Sequence, residues 1–431
     1  MWLETLTDCT YELIYLFQIN NAAMHLFLLI IIVGSVFSVI STIFYVVNSY
    51  RSVRYKQPMN DIACGPSDVT IIVPVYKENP DFFEKVLTAI QAQGANVIVV
   101  GDGCTYPYSE IAVKHAFTFL ATPERGGKRK ALSLAMHYVQ TPFVMFVDSD
   151  TLLPSNAVRD LLSSFTDEVG GVGANLKIIE DGRVLSYASE FVERSREVVL
   201  RAMNHNGHVM ILDGGAAIYR TEIVKPFILS SEFYDYRVLG RKSVAGDDRQ
   251  LTSYVIKSGF KALKNYNVNV STPSQKTLSS YYKQQVRWAR NGWYYFFKDL
   301  FGGTARKAGA FYTFELVYVY LLPIFFLGLS LTELYYFLFG HHYSYYRFAF
   351  SHDLLYFLTT LFTLGFLRFT RFATTLINGV SILLFGAAIS NNMARNRLKT
   401  FAYGSVGLII MFFATLHGLV TFWKQGSWLT R

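Results

Sequence analysis

The apolar residues of this chain are gathered into long segments, and this distribution constrains its fold more than any other feature. Residues 26–47 contain no charged side chain and are long enough to cross a hydrocarbon layer of about 30 Å. Further apolar stretches occupy residues 311–339, 354–367, 372–389 and 401–423. The region between them resembles an ordinary water-soluble α/β domain that is long enough to bury a full core. The sequence therefore predicts an integral membrane protein with an α/β domain inserted between transmembrane α-helices.

Four regions are predicted along the chain. Residues 1–55 form an N-terminal segment with one transmembrane helix at 26–47, and residues 56–275 form the soluble domain. Residues 276–310 form an amphipathic interfacial helix, because basic residues there are interleaved with Trp and Tyr, which suit the headgroup layer. An aromatic-rich core helix is the alternative. Residues 311–431 form a C-terminal transmembrane region.

The charges beside the first apolar segment predict its orientation. Arg51, Arg54 and Lys56 follow that segment, and cytoplasmic flanks are enriched in Lys and Arg. We therefore expect the N-terminus outside, the soluble domain in the cytosol and a multi-pass protein of the plasma membrane. No small-residue cleavage site follows the segment, which argues against a cleaved signal peptide.

The C-terminal region allows three or four spans. If all its apolar stretches cross, the basic loop 391–400 lies outside, against the tendency of positive charge to stay in the cytosol. If 372–389 is re-entrant or interfacial, that loop lies inside. The sequence leaves both arrangements open.

Net charge and cysteine content exclude two other classes. The formal charge is +9, but many of the basic residues flank membrane segments, where they meet anionic lipid headgroups. Since no basic stripe on a reading helix is present, no nucleic-acid partner is predicted. Cys9, Cys64 and Cys104 are far apart and form no CxxC pair, so neither a disulfide framework nor a zinc site is indicated.

Three short apolar runs in the soluble region have the composition of buried strands. They are residues 69–75, 96–100 and 143–147, and helical spacing occurs between them, for example at 81–93. Strands that alternate with helices predict a mostly parallel sheet, in which ligands bind beyond the carboxyl ends of the strands. All three runs lead into polar turns, which is typical of a nucleotide-binding domain.

The strongest chemical signal is the DSD sequence that follows the third strand. Asp148 and Asp150 stand two residues apart on an extended chain, so their side chains point to one side. Carboxylate oxygens together with a diphosphate favour Mg²⁺ or Mn²⁺. A DxD sequence alone is weak, because Asp is common in turns, but its place at a strand end favours a metal site.

Two further segments are suited to a nucleotide. Asp102 ends the second strand, where its carboxylate can accept hydrogen bonds from a uracil or ribose, or can simply close a turn. Lys128 and Arg129 open a helix after two glycines, which combines cations with a helix N-terminus suited to phosphate. The spacing differs from that of an ATP-binding Walker loop.

A second acidic pair, Asp247 and Asp248, precedes a helical stretch. An attacking sugar hydroxyl must lose its proton, and a carboxylate beside it serves as the base, a role we assign to Asp248. A helix N-cap is the alternative, and both roles are compatible in one pair. Further on, Gln284, Arg287 and Trp288 form a Q-x-x-R-W pattern that offers a flat ring for sugar stacking and polar groups for hydroxyls or phosphates.

The ordered set of segments is more specific than any one of them. VPVYKENP, GDG, GGKRKAL, DSDT, GDDR and QQVRW together resemble the processive family 2 glycosyltransferases that make cellulose, chitin and hyaluronan. GDDR followed by QQVRW is most similar to hyaluronan synthases, although VRWAR is equally similar to cellulose synthases. The resemblance covers residues 69–300 and the plan of membrane helices on both sides.

This resemblance implies a GT-A fold, a UDP-sugar donor and inversion at the anomeric carbon. It implies donor-binding roles for Tyr76, Glu78, Asp102, Lys128, Arg129 and Asp148. It implies metal binding by Asp150 with Asp148, catalysis by Asp247 and Asp248, and an acceptor or channel role for Gly214, Gly215, Gln284, Arg287 and Trp288. A growing polysaccharide would then leave between the C-terminal helices.

One segment departs from the pattern of hyaluronan synthases. Those enzymes have a Ser-Gly-Pro-type stretch at the acceptor site, where this chain has Asp213-Gly214-Gly215-Ala216-Ala217. The expected donors are therefore UDP-GlcNAc, UDP-GlcUA or both. Two alternatives stay open, a synthase of a chitin-like or cellulose-like homopolymer and a non-processive enzyme that adds one sugar to a lipid carrier. A membrane transporter or receptor is disfavoured, because the acidic cluster lies in the soluble domain.

Overall fold

A computed structural model describes residues 21–60, 63–213, 215–339 and 365–426. The chain divides into two compact units. One unit comprises Met1–Val47 and Phe325–Gly386, and the other comprises Asn48–Ile324 and Ala387–Arg431. The second unit contains the whole α/β domain, so the site is described within it.

The elements are numbered in chain order within the described residues. The strands are β1 (Val69–Val75), β2 (Asn96–Gly101), β3 (Thr118–Ala121), β4 (Phe143–Val147), β5 (Val169–Ile179), β6 (Ala216–Arg220), β7 (Arg237–Val238), β8 (Arg241–Lys242) and β9 (Lys261–Pro273). The helices before the second acidic pair are α1 (Asn21–Arg54), α2 (Pro80–Gln91), α3 (Tyr108–Lys114), α4 (Lys128–Met136), α5 (Ala157–Leu162), α6 (Val184–Asn204), α7 (Thr221–Ile228) and α8 (Ser231–Tyr234). The later helices are α9 (Asp247–Lys257), α10 (Leu278–Phe301), α11 (Thr304–Ala308), α12 (Ala310–Phe339), α13 (Gly365–Asn391) and α14 (Arg397–Leu419).

A mixed sheet of seven described strands forms the centre of the α/β domain, in the order β3-β2-β1-β4-β6-β5-β9. Strand β1 pairs in parallel with β2 and β4, β2 with β3, and β5 with β9. Strand β6 is antiparallel to both of its neighbours, β4 and β5. The prediction of a mostly parallel α/β sheet is therefore confirmed, with β6 as the exception.

The sequence explains how the sheet is covered. Every residue of β1 and β4 is buried, as expected of central strands with helices on both faces. Helix α2 presents Phe83, Val86, Leu87 and Ile90 to the core, a spacing that places all four on one side of the helix. The side chain of Asn79 caps this helix by accepting a hydrogen bond from the amide of Phe82 at 2.9 Å.

The carboxyl ends of β1, β2 and β4 meet at one edge of the sheet. Because β6 is antiparallel, its first residue, Ala216, pairs with Val147, the last residue of β4. The amide of Asp148 donates a hydrogen bond to the carbonyl oxygen of Gly215 at 3.2 Å. The fold thus brings a segment from after α6 to the same edge as the DSD sequence.

Helix α10 occupies most of residues 276–310, which were expected to form one interfacial helix, but it ends at Phe301, and α11 and the first residue of α12 follow within that range. It begins after Thr277, whose hydroxyl accepts a hydrogen bond from the amide of Ser280. It packs against α14, where the indole nitrogen of Trp293 donates to the carbonyl oxygen of Thr415 at 2.9 Å. Helix α14 also packs against α6, because Gly404 and Gly407 leave room for Phe191 and Ala188. The interfacial role of α10 remains a prediction.

Three described helices are long and apolar enough to cross a membrane. The segments are Val33–Arg54, Ala310–Thr332 and Arg397–Leu419, judged by length and composition alone. The apolar part of α13, Leu376–Asn391, is shorter. The expected apolar stretch at 354–367 falls almost entirely outside the described residues. The choice between three and four C-terminal spans therefore stays open.

Candidate active site

Lys128 joins aspartates from two distant segments. Its Nζ donates to Oδ1 of Asp148 at 2.7 Å and lies 2.9 Å from Oδ2 of Asp247. Burial opposes the charged form, but the carboxylates of Asp148, Asp247 and Asp248 outweigh it and hold the pKa of Lys128 above its usual range. The structure therefore brings the DSD sequence and the second acidic pair around one permanent cation.

Asp102 fixes the start of the helix that carries this lysine. Its carboxylate accepts hydrogen bonds from the amides of Gly126 at 2.7 Å and Gly127 at 2.9 Å. Gly103, with φ of +66°, lies so close to Arg125 that a Cβ would be 2.5 Å from the Arg125 amide nitrogen. The buried Asp102 carboxylate thus organises the glycine loop before Lys128, and its predicted contact with uridine remains a prediction.

The two residues of the second acidic pair have opposite electrostatic environments. Burial favours neutral Asp247, but Lys128 and Arg129 outweigh it, so the pKa of Asp247 lies below its usual range. Burial, together with the negative charge of Asp247, raises the pKa of Asp248 to about 6. A carboxylate with a raised pKa accepts a proton more readily, which suits a general base near neutral pH.

The N-terminal turn of α9 holds Asp248 in place. Oδ1 of Asp248 accepts a hydrogen bond from the amide of Arg249 at 2.7 Å. Gly246 precedes the pair with φ of +76°, and a Cβ there would overlap the amide oxygen of Asn291 on α10. Helix α10 therefore packs directly against the turn that opens α9. Arg287 stands four residues before Asn291 and so lies on the same side of the helix.

The three residues of the Q-x-x-R-W pattern lie on α10 with partly accessible side chains. Gln284 and Arg287 are half-buried, and Trp288 is 38% exposed. An exposed indole on the helix that contacts the turn before Asp247 offers a ring face of the kind on which sugars stack. The contacts of these residues with an acceptor remain a prediction.

Arg129 occupies a different position from its neighbour Lys128. Its guanidinium donates to the carbonyl oxygen of Ala245 at 2.9 Å and to the side chain of Gln250, and lies 4.5 Å from the centre of the Tyr236 ring. The side chain is buried and braces the segment around the start of α9. The positive charge of Arg129 helps to lower the pKa of Asp247. A place for Arg129 beside the nucleotide remains a prediction.

The ends of β1 and β4 also meet at this edge. The hydroxyl of Ser149 donates to Oε2 of Glu78 at 3.3 Å, which joins the DSD sequence to the VPVYKENP segment. The guanidinium of Arg125 lies 4.0 Å from the centre of the Tyr76 ring. Asp150 is half-buried. These contacts place Tyr76, Glu78 and the DSD sequence in one continuous region.

The carboxylates of the DSD sequence fit a metal that the substrate helps to bind. Within the described ranges, no three or more His, Cys, Asp or Glu side chains are grouped to hold an ion. Mg²⁺ is commonly bound through one or two carboxylates, with substrate phosphates as further ligands. Asp148, which pairs with Lys128, and Asp150 both carry hard oxygen atoms of this kind, and their binding of a metal remains a prediction.

The expected acceptor glycines are only partly described. Gly214 lies outside the described residues, and a Cβ on Gly215 would be 3.1 Å from the Leu176 side chain. Asp213 forms ion pairs with Lys264 and, at 3.0 Å, with Arg196. Burial opposes ionisation of Asp213, but these two cations outweigh it and lower its pKa.

Sequence reasoning missed two polar residues of α10, Asn291 and Asp299. Asp299 is fully buried, and its Oδ2 lies 3.0 Å from Nη2 of Arg249. A single acidic residue within the aromatic run WYYFFKDLF was the available signal, because a carboxylate buried by such neighbours needs a cationic partner.

Comparison with known proteins identifies the family. Residues 66–291 match the family described as "Glycosyltransferase like family 2", a range that contains every sequence motif from VPVYKENP to QQVRW. The chain belongs to this glycosyltransferase family. The resemblance inferred from its motifs is therefore confirmed, and the protein is a glycosyltransferase.

Several curated relatives of this glycosyltransferase have names of the same class. An N-acetylglucosaminyltransferase of Azorhizobium caulinodans is 30% identical over 60% of this chain and 71% of its own length. An N-acetylglucosaminyltransferase of Rhizobium meliloti is 29% identical over 59% of this chain and 63% of its own. The hyaluronan synthase of Streptococcus pyogenes is 27% identical over 54% of this chain and 57% of its own. The last two matches thus span less than two thirds of those relatives.

A solved structure resembles the glycosyltransferase in fold. The mannosyltransferase PcManGT from Pyrobaculum calidifontis, in complex with GDP-Man and Mn²⁺, aligns with a TM-score of 0.52 over 82% of this chain and 97% of its own. Sequence identity is 19%, so the likeness concerns the fold alone. It agrees with the GT-A-type α/β fold expected from the motifs.

Proposed function

We propose that this family 2 glycosyltransferase transfers sugars from a UDP-sugar to the end of a growing β-linked polysaccharide. The proposal includes inversion at the anomeric carbon, repeated addition without release, and export through the protein's own transmembrane helices. The observation that carries it is the cation Lys128, which links Asp148 to Asp247 beside the half-buried base candidate Asp248. This contact supports a single site for donor binding and acceptor activation.

The donor side of the proposal rests on Lys128, Asp148 and Asp150. Lys128 is positioned to bind a diphosphate oxygen, because it opens α4 directly after a glycine loop whose amides are already ordered by Asp102. A bound Mg²⁺ or Mn²⁺ at Asp148 and Asp150 would neutralise charge on the diphosphate. Asp102, Tyr76 and Glu78, at the same edge of the sheet, are assigned to the nucleotide.

The acceptor side of the proposal rests on Asp248. The acceptor hydroxyl oxygen forms a bond to the anomeric carbon, while the bond from that carbon to the diphosphate oxygen breaks and UDP leaves. Asp248 takes the hydroxyl proton, a role supported by its raised pKa of about 6. Attack from the face opposite the leaving group inverts the anomeric configuration. Gln284, Arg287 and Trp288 hold the acceptor, and Gly214 and Gly215 allow it to approach the backbone closely.

The membrane part of the proposal concerns export. The α/β domain faces the cytosol of a plasma-membrane protein, with the polymer leaving between helices that include α12. The support is the direct packing of α10, which carries Q-x-x-R-W, against Gly246 on one side and Tyr320 of α12 on the other. The acceptor-binding helix therefore touches both the catalytic turn and a candidate span.

The names of the relatives favour N-acetylglucosamine as the sugar transferred. A screen of donors tests this in purified protein reconstituted in lipid nanodiscs with Mg²⁺ or Mn²⁺. UDP release is measured for UDP-GlcNAc, UDP-GlcUA and UDP-Glc, singly and in pairs, and product length is read on a gel. GDP-mannose serves as the control donor.

Each result of the screen has a distinct meaning. Long product from UDP-GlcNAc alone would establish a homopolymer synthase, whereas a requirement for UDP-GlcNAc with UDP-GlcUA would establish a hyaluronan-type copolymer. A lipid-linked product extended by one sugar would replace processive synthesis by the non-processive alternative. The absence of UDP release with every UDP-sugar would overturn the proposal.

A further inference from the structure

Asp299 is a fully buried carboxylate on α10 that the proposed reaction does not use. It accepts hydrogen bonds from Nη2 of Arg249 at 3.0 Å, from the hydroxyl of Ser253 at 2.6 Å and from the hydroxyl of Tyr312 at 3.3 Å. Arg249 and Ser253 belong to α9, and Tyr312 belongs to α12. One buried side chain therefore connects three helices.

The connection reaches the base candidate through Arg249. The guanidinium of Arg249 is held by Asp299, and the backbone amide of the same residue donates to Oδ1 of Asp248 at 2.7 Å. Both ends of Arg249 are thus fixed, one inside the protein and one on the carboxylate that would accept the proton. Asp299 thus holds α9 at two residues, Arg249 and Ser253, so its loss would loosen the first turns of the helix that begins with Asp247 and Asp248.

Two close contacts reinforce this arrangement. Asn291 lies against Gly246, just before the acidic pair, and Gly292 lies against the hydroxyl of Tyr320 on α12. Asn291 and Gly292 are both on α10, between Trp288 and Asp299. The helix that carries the acceptor-binding pattern is therefore also the helix that sets the position of the base.

We propose that Asp299 is a positioning residue that aims Asp248 at the acceptor hydroxyl by holding Arg249. It also ties α9 to the first turn of α12 through Tyr312. The inference rests on the proposed function, because it assumes that Asp248 is the base. Asp299 contacts no substrate itself. Misplacing a catalytic group by about 1 Å can slow a reaction about 100-fold, so small shifts at this buried carboxylate matter.

The test compares Asp299→Asn with a matched control, Glu197→Gln. Glu197 is also a buried carboxylate that forms ion pairs with arginines, Arg194 and, at 2.7 Å, Arg201, but it lies on α6. Each substitution removes one charge and keeps the side-chain shape. For full-length protein in nanodiscs we would measure kcat and KM from UDP release, Kd for UDP by calorimetry, and Tm.

A positioning role predicts a split between kcat and binding. Asp299→Asn should lower kcat about 10- to 100-fold while the donor KM and the Kd for UDP stay within about twofold of wild type. Glu197→Gln should lower Tm comparably and leave kcat within about twofold of wild type. Equal losses of kcat in both variants, or an unchanged kcat in Asp299→Asn, would overturn the inference.

Milder variants keep the test valid if Asp299→Asn does not fold. Ser253→Ala and Tyr312→Phe each remove one donor to Asp299, and each should lower kcat with little change in KM. Arg249→Lys, which retains a cation for Asp299, should keep more of kcat than Arg249→Met. Wild-type protein without turnover would overturn the proposed function and this inference together, whereas wild-type turnover with no effect of these variants would overturn the inference alone.

Discussion

Lys128 donates a hydrogen bond of 2.7 Å to Asp148, and this contact links the first residue of α4 to the residue that follows β4. The same ammonium lies 2.9 Å from Asp247 at the start of α9. Three segments that are far apart in sequence therefore share one cation. Each charged group around this cation has a role that an experiment can test.

Removing the Lys128 ammonium should weaken donor binding. Lys128→Met leaves the diphosphate without a charge-assisted hydrogen bond, which is worth about 1.5–3 kcal/mol and corresponds to about a 10- to 150-fold rise in Kd. Calorimetry with UDP measures this change. Lys85→Met, at an exposed lysine of α2, is the control and should bind UDP as wild type does. Equal affinities in both variants would remove Lys128 from the donor site.

Neutralising Asp248 should stop transfer without abolishing donor binding. Asp248→Asn cannot accept the hydroxyl proton, and loss of a general base costs about 100- to 10,000-fold in kcat. UDP release measures turnover, and calorimetry measures UDP binding. Asp167→Asn, at an exposed acidic residue before β5, should keep wild-type turnover. Turnover within about tenfold of wild type in Asp248→Asn would refute the base assignment.

The pH dependence of kcat should reflect the environment of Asp248. Burial and then Asp247 raise the pKa of Asp248 to about 6, so the active, ionised base predominates above that pH and turnover falls as the pH drops through about 6. Asp247→Asn removes the negative neighbour, which should lower the pKa of Asp248 and move the acidic limb of the profile to lower pH. Profiles of both proteins between about pH 4.5 and about pH 8 provide the measurement. If the acidic limb of the Asp247→Asn profile stays at the wild-type pH, Asp247 does not raise the pKa of Asp248.

A methyl group at Gly246 should disturb both stability and activity. Gly246 has φ of +76°, and its Cβ would overlap Asn291, whereas Gly240 has φ of +78° with nothing within 4 Å of the place a Cβ would take. Both Gly→Ala substitutions should cost about 1–2 kcal/mol in backbone strain. Gly246→Ala should cost about 1–3 kcal/mol more, because Asn291 and α10 must move away from the turn before Asp247. Chemical denaturation gives the free energy of unfolding of each variant. Equal losses in the two variants would show that α10 moves to accommodate the methyl group at no cost.

Removal of divalent metal should abolish turnover. Treatment with EDTA should stop UDP release, and Mg²⁺ or Mn²⁺ should restore it, because the diphosphate needs charge neutralisation as it leaves. Asp150→Asn should raise the metal concentration required for half-maximal activity at least about tenfold, since it removes a negative oxygen ligand. Full activity in EDTA would refute the metal assignment.

Much of the fold followed from local patterns. The apolar runs at β1, β2 and β4 were recognised because buried central strands need continuous apolar residues, and α10 was recognised from basic residues interleaved with Trp and Tyr. Strands β3, β5, β6 and β9 were not predicted, since segments with glycine or polar residues become strands only when neighbouring strands supply hydrogen bonds. The antiparallel direction of β6 depends on the path of the chain through α6, which local periodicity does not contain.

The sequence by itself determined that apolar segments flank an α/β domain with acidic groups at strand and helix ends, because these features depend on residue type and near-neighbour spacing. Only the tertiary structure decided which groups meet. Adjacent residues on a helix point about 100° apart, so Lys128 reaches Asp148 and Asp247 while Arg129 turns toward Ala245 and Tyr236. The pairing of Arg249 with Asp299 likewise required α9 and α10 to pack together, since long-range contacts depend on how distant helices are oriented and not on either helix alone.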